Sequence, residues 1–190
     1  MIYKLYWGVI TLCYAIFFKK IRFPSHIGVP IFTHGLKRVT IGNRVRILPG
    51  VRIETHYEGT ITFEDNISIG QNFHITSAGD LIIGSNTTIS GNVFVTNIDH
   101  DYQEIGKLIL DQKMIVNETR IGSNCFIGYG VAIQAGTVLG KQCIVGAGAV
   151  VRGHFPDYCV IVGIPGKIVK RYNIKTNTWE KTNSDGTFKS

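Results

Sequence analysis

The stretch IGSNCFIGYGVAIQAGTVLGKQCIVGAGAVV, residues 121–151, places a bulky aliphatic residue at every sixth position: Ile121, Ile127, Ile133, Leu139, Val145 and Val151. Glycine follows at Gly122, Gly128, Gly140 and Gly146. A period of six fits neither the roughly 3.6 residues of a helical turn nor the simple alternation of a strand, but it is the period of a parallel β-helix. Each hexapeptide is then one short strand plus a turn, and three of them close a triangular coil. The residue four places after each aliphatic is small or β-branched, as in Cys125, Val131, Thr137, Cys143 and Ala149. Both positions are expected to face the interior.

The step recurs upstream at Ile41, Ile47 and Ile53, at Ile69 and Ile75, and in a new phase at Ile83, Ile89 and Val95. Its small partners there are Val45, Val51, Thr87 and Val93. Turn residues beside them, as in Ile83-Gly84-Ser85-Asn86, supply positive φ at the corners. Between Val95 and Ile121 the spacing is far longer than one hexapeptide, so about residues 101–118 are expected to leave the solenoid as a protruding loop, a place where function often resides.

The β-helix is expected over residues 24–172. Residues 1–23 are read as an apolar and basic helical segment. Its uncharged run from Leu5 to Phe18 is flanked by Lys4 and by Lys19, Lys20 and Arg22. That run is too short to span a bilayer. It can cap the open end of the solenoid, as terminal repeats require, or lie on a membrane surface. Residues 173–190 are polar and read as a C-terminal tail.

With 20 Lys+Arg against 13 Asp+Glu the chain carries a formal charge of +7, which favours anionic partners. The basic residues are scattered and match no nucleic-acid-binding motif, so no nucleic-acid partner is expected. Four cysteines, Cys13, Cys125, Cys143 and Cys159, form no Cys-x-x-Cys pair and no zinc spacing. They read as free thiols of a cytoplasmic protein, peripheral at the inner membrane face if residues 1–23 touch lipid.

Two segments carry more specific information: Val93-Phe94-Val95-Thr96-Asn97-Ile98-Asp99-His100, just before the excursion, and Val145 to Val151 leading to Gly163-Ile164-Pro165-Gly166-Lys167-Ile168-Val169-Lys170. Over about residues 27–172 the chain resembles the hexapeptide acyltransferases, within them the maltose, galactoside and O-antigen or capsule O-acetyltransferases. The resemblance implies a left-handed coil, acetyl-CoA as cosubstrate, no metal requirement, a saccharide acceptor, and a homotrimer with active sites between subunits. It makes His100 the catalytic base. An imidazole suits the task, because with a pKa near about 6.5 it can accept the proton of a hydroxyl that is otherwise a poor nucleophile.

By the same resemblance Asn72, His74 and Asp80 bind the acceptor, and Tyr129, Ala147, Arg152, Lys167 and Lys170 line the coenzyme groove. Each has an ordinary alternative: turn residues for the first three, a solvated basic end for the lysines. The remaining histidines, His26, His34, His56 and His154, read as surface or core groups. Phe126 stands where relatives carry Trp, Gly166 where they carry Ala, and Ile98 where O-antigen-type relatives have a first histidine.

The expected activity is acetyl transfer to a saccharide hydroxyl in surface polysaccharide synthesis. N-acetylation of an amino sugar or an antibiotic uses the same fold and donor, and a non-catalytic trimeric β-helix scaffold is the alternative of another class. A γ-type carbonic anhydrase needs closely spaced histidines that this chain lacks.

Overall fold

The computed structural model describes residues 2–189; Met1 of the N-terminal segment and Ser190 of the C-terminal stretch lie outside the described residues. After an N-terminal helix, Ile2–Ala15, the chain runs as short strands, most of which pair in parallel with the strand one coil away. The result is the expected β-helix with a helix at its start and an excursion from its side. On the second of its three faces the inward residues stack as Ile27, Ile47, Ile69, Ile89, Ile127, Val145 and Ile161. The other two faces merge into one eleven-stranded sheet, because the strand Ala132–Leu139 turns a corner unbroken, pairing first with Phe94–Thr96 and then with Thr119–Ile121.

Every aliphatic residue of the six-step pattern is buried, and so is every small residue four places on. Removing each of the larger ones from water contributes roughly 1.5–3 kcal/mol. The interior hydroxyls are satisfied by backbone, Thr87 Oγ1 donating to Gly122 O at 3.1 Å and Thr137 Oγ1 to Val151 O at 2.8 Å. Where the sequence pattern lapses after Ile53, aromatic residues fill the core. Phe63 stands in register between Ile41 and Ile83, and its ring meets that of Phe73 edge-on at 6.4 Å.

The three corners differ in kind. At two of them backbone bonds stack coil on coil around residues of positive φ: Asn66, Asn86, Asn124 and Gln142 on one, Asn72, Asn92, Gly130 and Gly148 on the other. These corners keep the six-residue step. Every slip of register falls at the third. Along the face that follows that corner, the inward position runs Ile21, Ile41, Phe63, Ile83, Ile121, Leu139, Phe155. Only the step from Ile121 to Leu139 keeps the eighteen residues of three hexapeptides. The longest step, Ile83 to Ile121, contains the excursion.

The N-terminal helix closes the first coil. Thr11 Oγ1 accepts from the Ile27 amide at 2.8 Å, a donor with no further coil beneath it, and itself donates to Trp7 O at 2.6 Å. Trp7 stacks on His26 at 5.9 Å, and Phe18 enters the core. No described helix is long and apolar enough to cross a membrane.

The C-terminal stretch differs from the tail expected from its polarity. The strand Lys167–Asn173 turns back antiparallel on Cys159–Val162, and Thr178–Lys181 pairs with it in turn. Thr182 and Phe188 add a further bridge. This hairpin covers the last edge of the solenoid. Its polar side chains bond to one another, as Asn173 does to Glu180 at 3.0 Å, while Trp179 meets Tyr172 edge-on. Composition therefore masked a folded element.

Candidate active site

The excursion is clasped where it leaves and where it returns. Asn97, 1% exposed, donates from Nδ2 to Ser77 Oγ at 2.9 Å and accepts the Ala78 amide on Oδ1 at 2.9 Å. Its carbonyl accepts the Asn117 amide, also at 2.9 Å. Departure thus comes at Asn97, a few residues earlier than the spacing suggested. From there Ile98–His100 runs antiparallel to Met114–Val116, with His100 opposite Met114.

The intervening loop has its own polar centre. Gln112 is buried, donates to the carbonyls of Glu104 and Lys107 at 3.1 Å, and accepts the Glu104 amide. Its apolar side chains point outward instead: Ile105 is 97% exposed, with Tyr102, Leu108 and Leu110 also exposed.

His100 ends the outgoing strand, is exposed, and makes no side-chain hydrogen bond among the described residues. It borders a cavity of about 440 Å³ whose wall includes His56, Thr76, Phe94, Thr96 and Gln134. Beside it, Asp99 accepts from Arg152 Nη2 at 2.6 Å. An unpaired imidazole beside a cavity lined by a phenyl ring and by hydroxyl and amide groups can accept a proton from a bound polyol.

The face leading to this cavity carries a second polar cluster. Glu54, 7% exposed, accepts on Oε1 from Arg52 Nε and lies 3.1 Å from His74 Nε2 on that same oxygen. Its Oε2 lies 3.8 Å from His56 Nε2. Burial pushes the Glu54 carboxyl up, but the hydrogen bonds from Arg52 and His74 outweigh it, holding the group below its ordinary range. Burial lowers His74, with the bond to Glu54 opposing and the Arg52 charge adding, so the ring titrates below an ordinary histidine.

The residues expected to bind the acceptor do not converge within one chain. His74 lies on the third face, against Phe94 at 4.9 Å and two places from Thr76 of the cavity wall. Asn72 stands on a corner ladder, donating to Asn92 Oδ1 at 3.0 Å. Asp80 opens a strand of the next face and accepts from Thr60 Oγ1 at 2.7 Å.

Comparison with known proteins agrees with this architecture. Residues 118–153 match the family model Bacterial transferase hexapeptide (six repeats). WbbJ of Escherichia coli strain K12, assigned to lipopolysaccharide biosynthesis as an O-acetyl transferase, is 32% identical over 168 residues, 85% of this chain and 83% of WbbJ. This chain belongs to the hexapeptide transferase family. The galactoside O-acetyltransferase of the same bacterium is 30% identical over 59% of this chain and 57% of its own length. Among solved structures, the N-acyltransferase AntD of Bacillus cereus, in complex with dTDP and 3-hydroxybutyryl-CoA, superposes with a TM-score of 0.73 over 88% of this chain and 90% of its own. At 17% identity AntD speaks to the fold alone.

Of the coenzyme positions that the hexapeptide transferase resemblance implies, Tyr129, Ala147 and Lys167 gather at one end of one corner. There the Gly148 amide donates to Tyr129 O at 2.8 Å, the Val150 amide to Gly163 O at 3.1 Å, and the Gly166 amide to Val150 O at 2.7 Å. Lys170 lies three residues further along the strand that Lys167 opens, beside Val160 and Lys181. Arg152 lies around the coil on the His100 side, paired with Asp99. Gly166 is explained by crowding: a Cβ there would meet Val151 Cγ1 at 2.9 Å and Val150 O at 3.1 Å. Exposed Tyr129 and Ala147 with the exposed Lys167 ammonium suit a ligand with an apolar arm and an anionic end.

Neither His56, which lines the cavity, nor Glu54 beside it was legible from sequence. His56 sits on an irregular turn of the slipping corner, outside any motif, and Glu54 lies on an outward strand position.

Proposed function

We propose that this hexapeptide transferase moves the acetyl group of acetyl-CoA to a hydroxyl of a saccharide in surface polysaccharide synthesis, O-antigen or capsule, with His100 as general base. One observation carries the reading: the His100 ring, unpaired, borders a polyol-sized cavity at the point where the chain leaves the coil. His100 accepts the hydroxyl proton while the oxygen attacks the thioester carbonyl. The C–S bond then breaks, and the leaving sulfur takes up that proton as the free thiol. Tyr129, Ala147, Lys167 and Lys170 bind the donor, with Arg152 at the junction between donor and His100. Asn72, His74 and Asp80 serve the acceptor. Their separation within one chain fits a homotrimer with sites between subunits, and the exposed loop residues Ile105 and Leu110 supply apolar surface for that contact. The exposed Tyr6, Val9, Leu12 and Ile16, followed by Lys19, Lys20 and Arg22, suit peripheral contact at the cytoplasmic membrane face.

The test is thiol release from acetyl-CoA over a panel of neutral and amino sugars, with His100→Ala alongside. Saccharide-dependent release lost in the variant is the expected result. Release with amino sugars alone would replace O- by N-acetylation. Silence with every acceptor, together with no coenzyme A binding, would favour a scaffold.

A further inference from the structure

The cavity beside His100 holds a second imidazole, that of His56, which the transfer step does not use. Glu54, nearly enclosed on the flank of the coil, is a costly carboxylate to bury unless its surroundings employ it. Arg52 and His74 both address Oε1, which leaves Oε2 facing His56 Nε2 at 3.8 Å. That distance exceeds a hydrogen bond but lies within ion-pair reach of the carboxylate. From another side the His34 ring stacks on His56 at 5.6 Å with an interplanar angle of 27°. The ring is therefore held between a carboxylate and a second ring. With Nε2 turned to Glu54, Nδ1 has no hydrogen-bond partner among the described residues.

We propose that His56, aimed by Glu54, is an acceptor-binding residue that holds a hydroxyl other than the one acetylated, on a sugar ring whose apolar side rests on Phe94. The chemistry of the wall matches. Thr76, Thr96 and Gln134 offer hydrogen-bond donors and acceptors, Phe94 offers a phenyl face, and the imidazoles of His56 and His100 line the same cavity. The cavity of about 440 Å³ holds one or two sugar rings. His56 thereby fixes which hydroxyl is presented to His100, and Glu54 acts through it as a positioning residue. This inference rests on reading the His100 cavity as the acceptor site.

The experiment takes the acceptor that gives thiol release and compares wild type with His56→Ala, His56→Asn and Glu54→Gln. Acceptor KM is expected to rise about tenfold in His56→Ala, with kcat changed less than about threefold, the signature of lost acceptor binding. His56→Asn, which keeps a donor, recovers part of the rise, and Glu54→Gln reproduces part of it. Among deoxy analogues of the acceptor, one is penalised by wild type and no longer by His56→Ala. Coenzyme A affinity, measured by calorimetry, stays unchanged in all three and certifies the fold. An active wild type whose acceptor KM and deoxy preferences survive His56→Ala overturns the inference alone, as does a fall confined to kcat. Wild-type silence with every saccharide overturns it together with the transferase reading. If His56→Ala does not fold, the KM and deoxy pattern of His56→Asn, which leaves Glu54 and its bond to His74 in place, decides in the same way.

Discussion

Arg152 Nη2 donates to Asp99 Oδ2 at 2.6 Å, joining the residue beside His100 to a strand fifty-three positions further along the chain. Among the described residues, the strand that ends in His100 otherwise pairs only with the returning arm of the excursion. The Arg152 to Asp99 bond ties it to the body of the coil at the wall of the cavity, which Asp99 itself lines.

Breaking that pair should cost rate rather than stability. Both side chains are substantially exposed, so the ion pair contributes at most about 1 kcal/mol to folding. A displacement of the base by about an ångström, in contrast, can cost up to about a hundredfold. Asp99→Asn and Arg152→Ala are expected to lower kcat roughly 10- to 100-fold with melting temperature shifted by no more than a few degrees. Arg152→Ala should in addition raise KM for acetyl-CoA, and Asp99→Asn should not. Steady-state kinetics beside thermal melts separates these effects; a large drop in melting temperature with intact kcat would contradict the account.

His100→Ala removes an exposed side chain with no side-chain hydrogen bond, so the folded state should lose almost nothing. Loss of a positioned general base lowers kcat by about 10²- to 10⁴-fold. His100→Gln, which keeps polarity but cannot take the proton, is expected to be equally impaired. Activity of His100→Gln within about tenfold of wild type would exclude proton abstraction by this residue.

The fold was legible because its interior repeats. Once Ile121 to Val151 set the step, Ile41, Ile89 and Thr87 followed, since a coil of fixed width admits one large and one small residue per hexapeptide. Phe63 and Phe73 broke the pattern because two aromatic rings fill the space of aliphatic pairs, a trade that no spacing rule reveals. The place of His100 before the long gap was legible. Its surroundings were not: Asn97, His56 and Glu54 sit at or near the one corner whose length varies, and there the periodicity falls silent. The C-terminal hairpin escaped for another reason, because an antiparallel pair on a solvated edge needs no apolar stripe.

Acid should weaken the fold in two steps through the Glu54 cluster. His74 titrates lower in the folded chain than when unfolded, so the unfolded state binds more protons as pH drops below about 6.5, and stability falls until the folded value is passed. Glu54 is likewise held below its ordinary value near 4.5, and its contribution, present above that pH, is lost as pH falls through the folded value. Melting temperature against pH is expected to decline below about 6.5 and again below about 4.5. His74→Gln should flatten the first decline and Glu54→Gln the second; identical profiles in wild type and variants would show that the cluster does not couple to folding.

The loop residue Ile105 is almost wholly exposed, and a charge there would not disturb the solenoid. If it supplies subunit contact, Ile105→Asp should lower the sedimenting mass to that of a monomer at micromolar concentration and reduce activity in parallel, while circular dichroism stays unchanged. A trimeric Ile105→Asp variant would locate the contact elsewhere, and a monomeric wild type would remove the contact altogether.

Asn97 joins three segments with one side chain and one carbonyl, and its amide is enclosed. Truncation to alanine leaves the Ala78 amide without its acceptor and Ser77 Oγ without one of its partners, although Ser77 keeps its bond to Gly79 O at 2.6 Å. Each buried polar group deprived of its partner costs about 1–3 kcal/mol. Since Asn97 also fixes where the excursion departs, the damage should centre on residues 98–117. Hydrogen exchange is expected to accelerate there and at Ser77 to Gly79, while the backbone amides of the corner ladder at Asn86 and Asn124 keep their protection. Asn97→Asp retains the acceptor for Ala78 but loses the donor to Ser77, so it should fall between wild type and Asn97→Ala in both melting temperature and kcat. Uniform acceleration along the whole solenoid would mean that Asn97 holds the coil as a unit rather than anchoring the arm that carries His100.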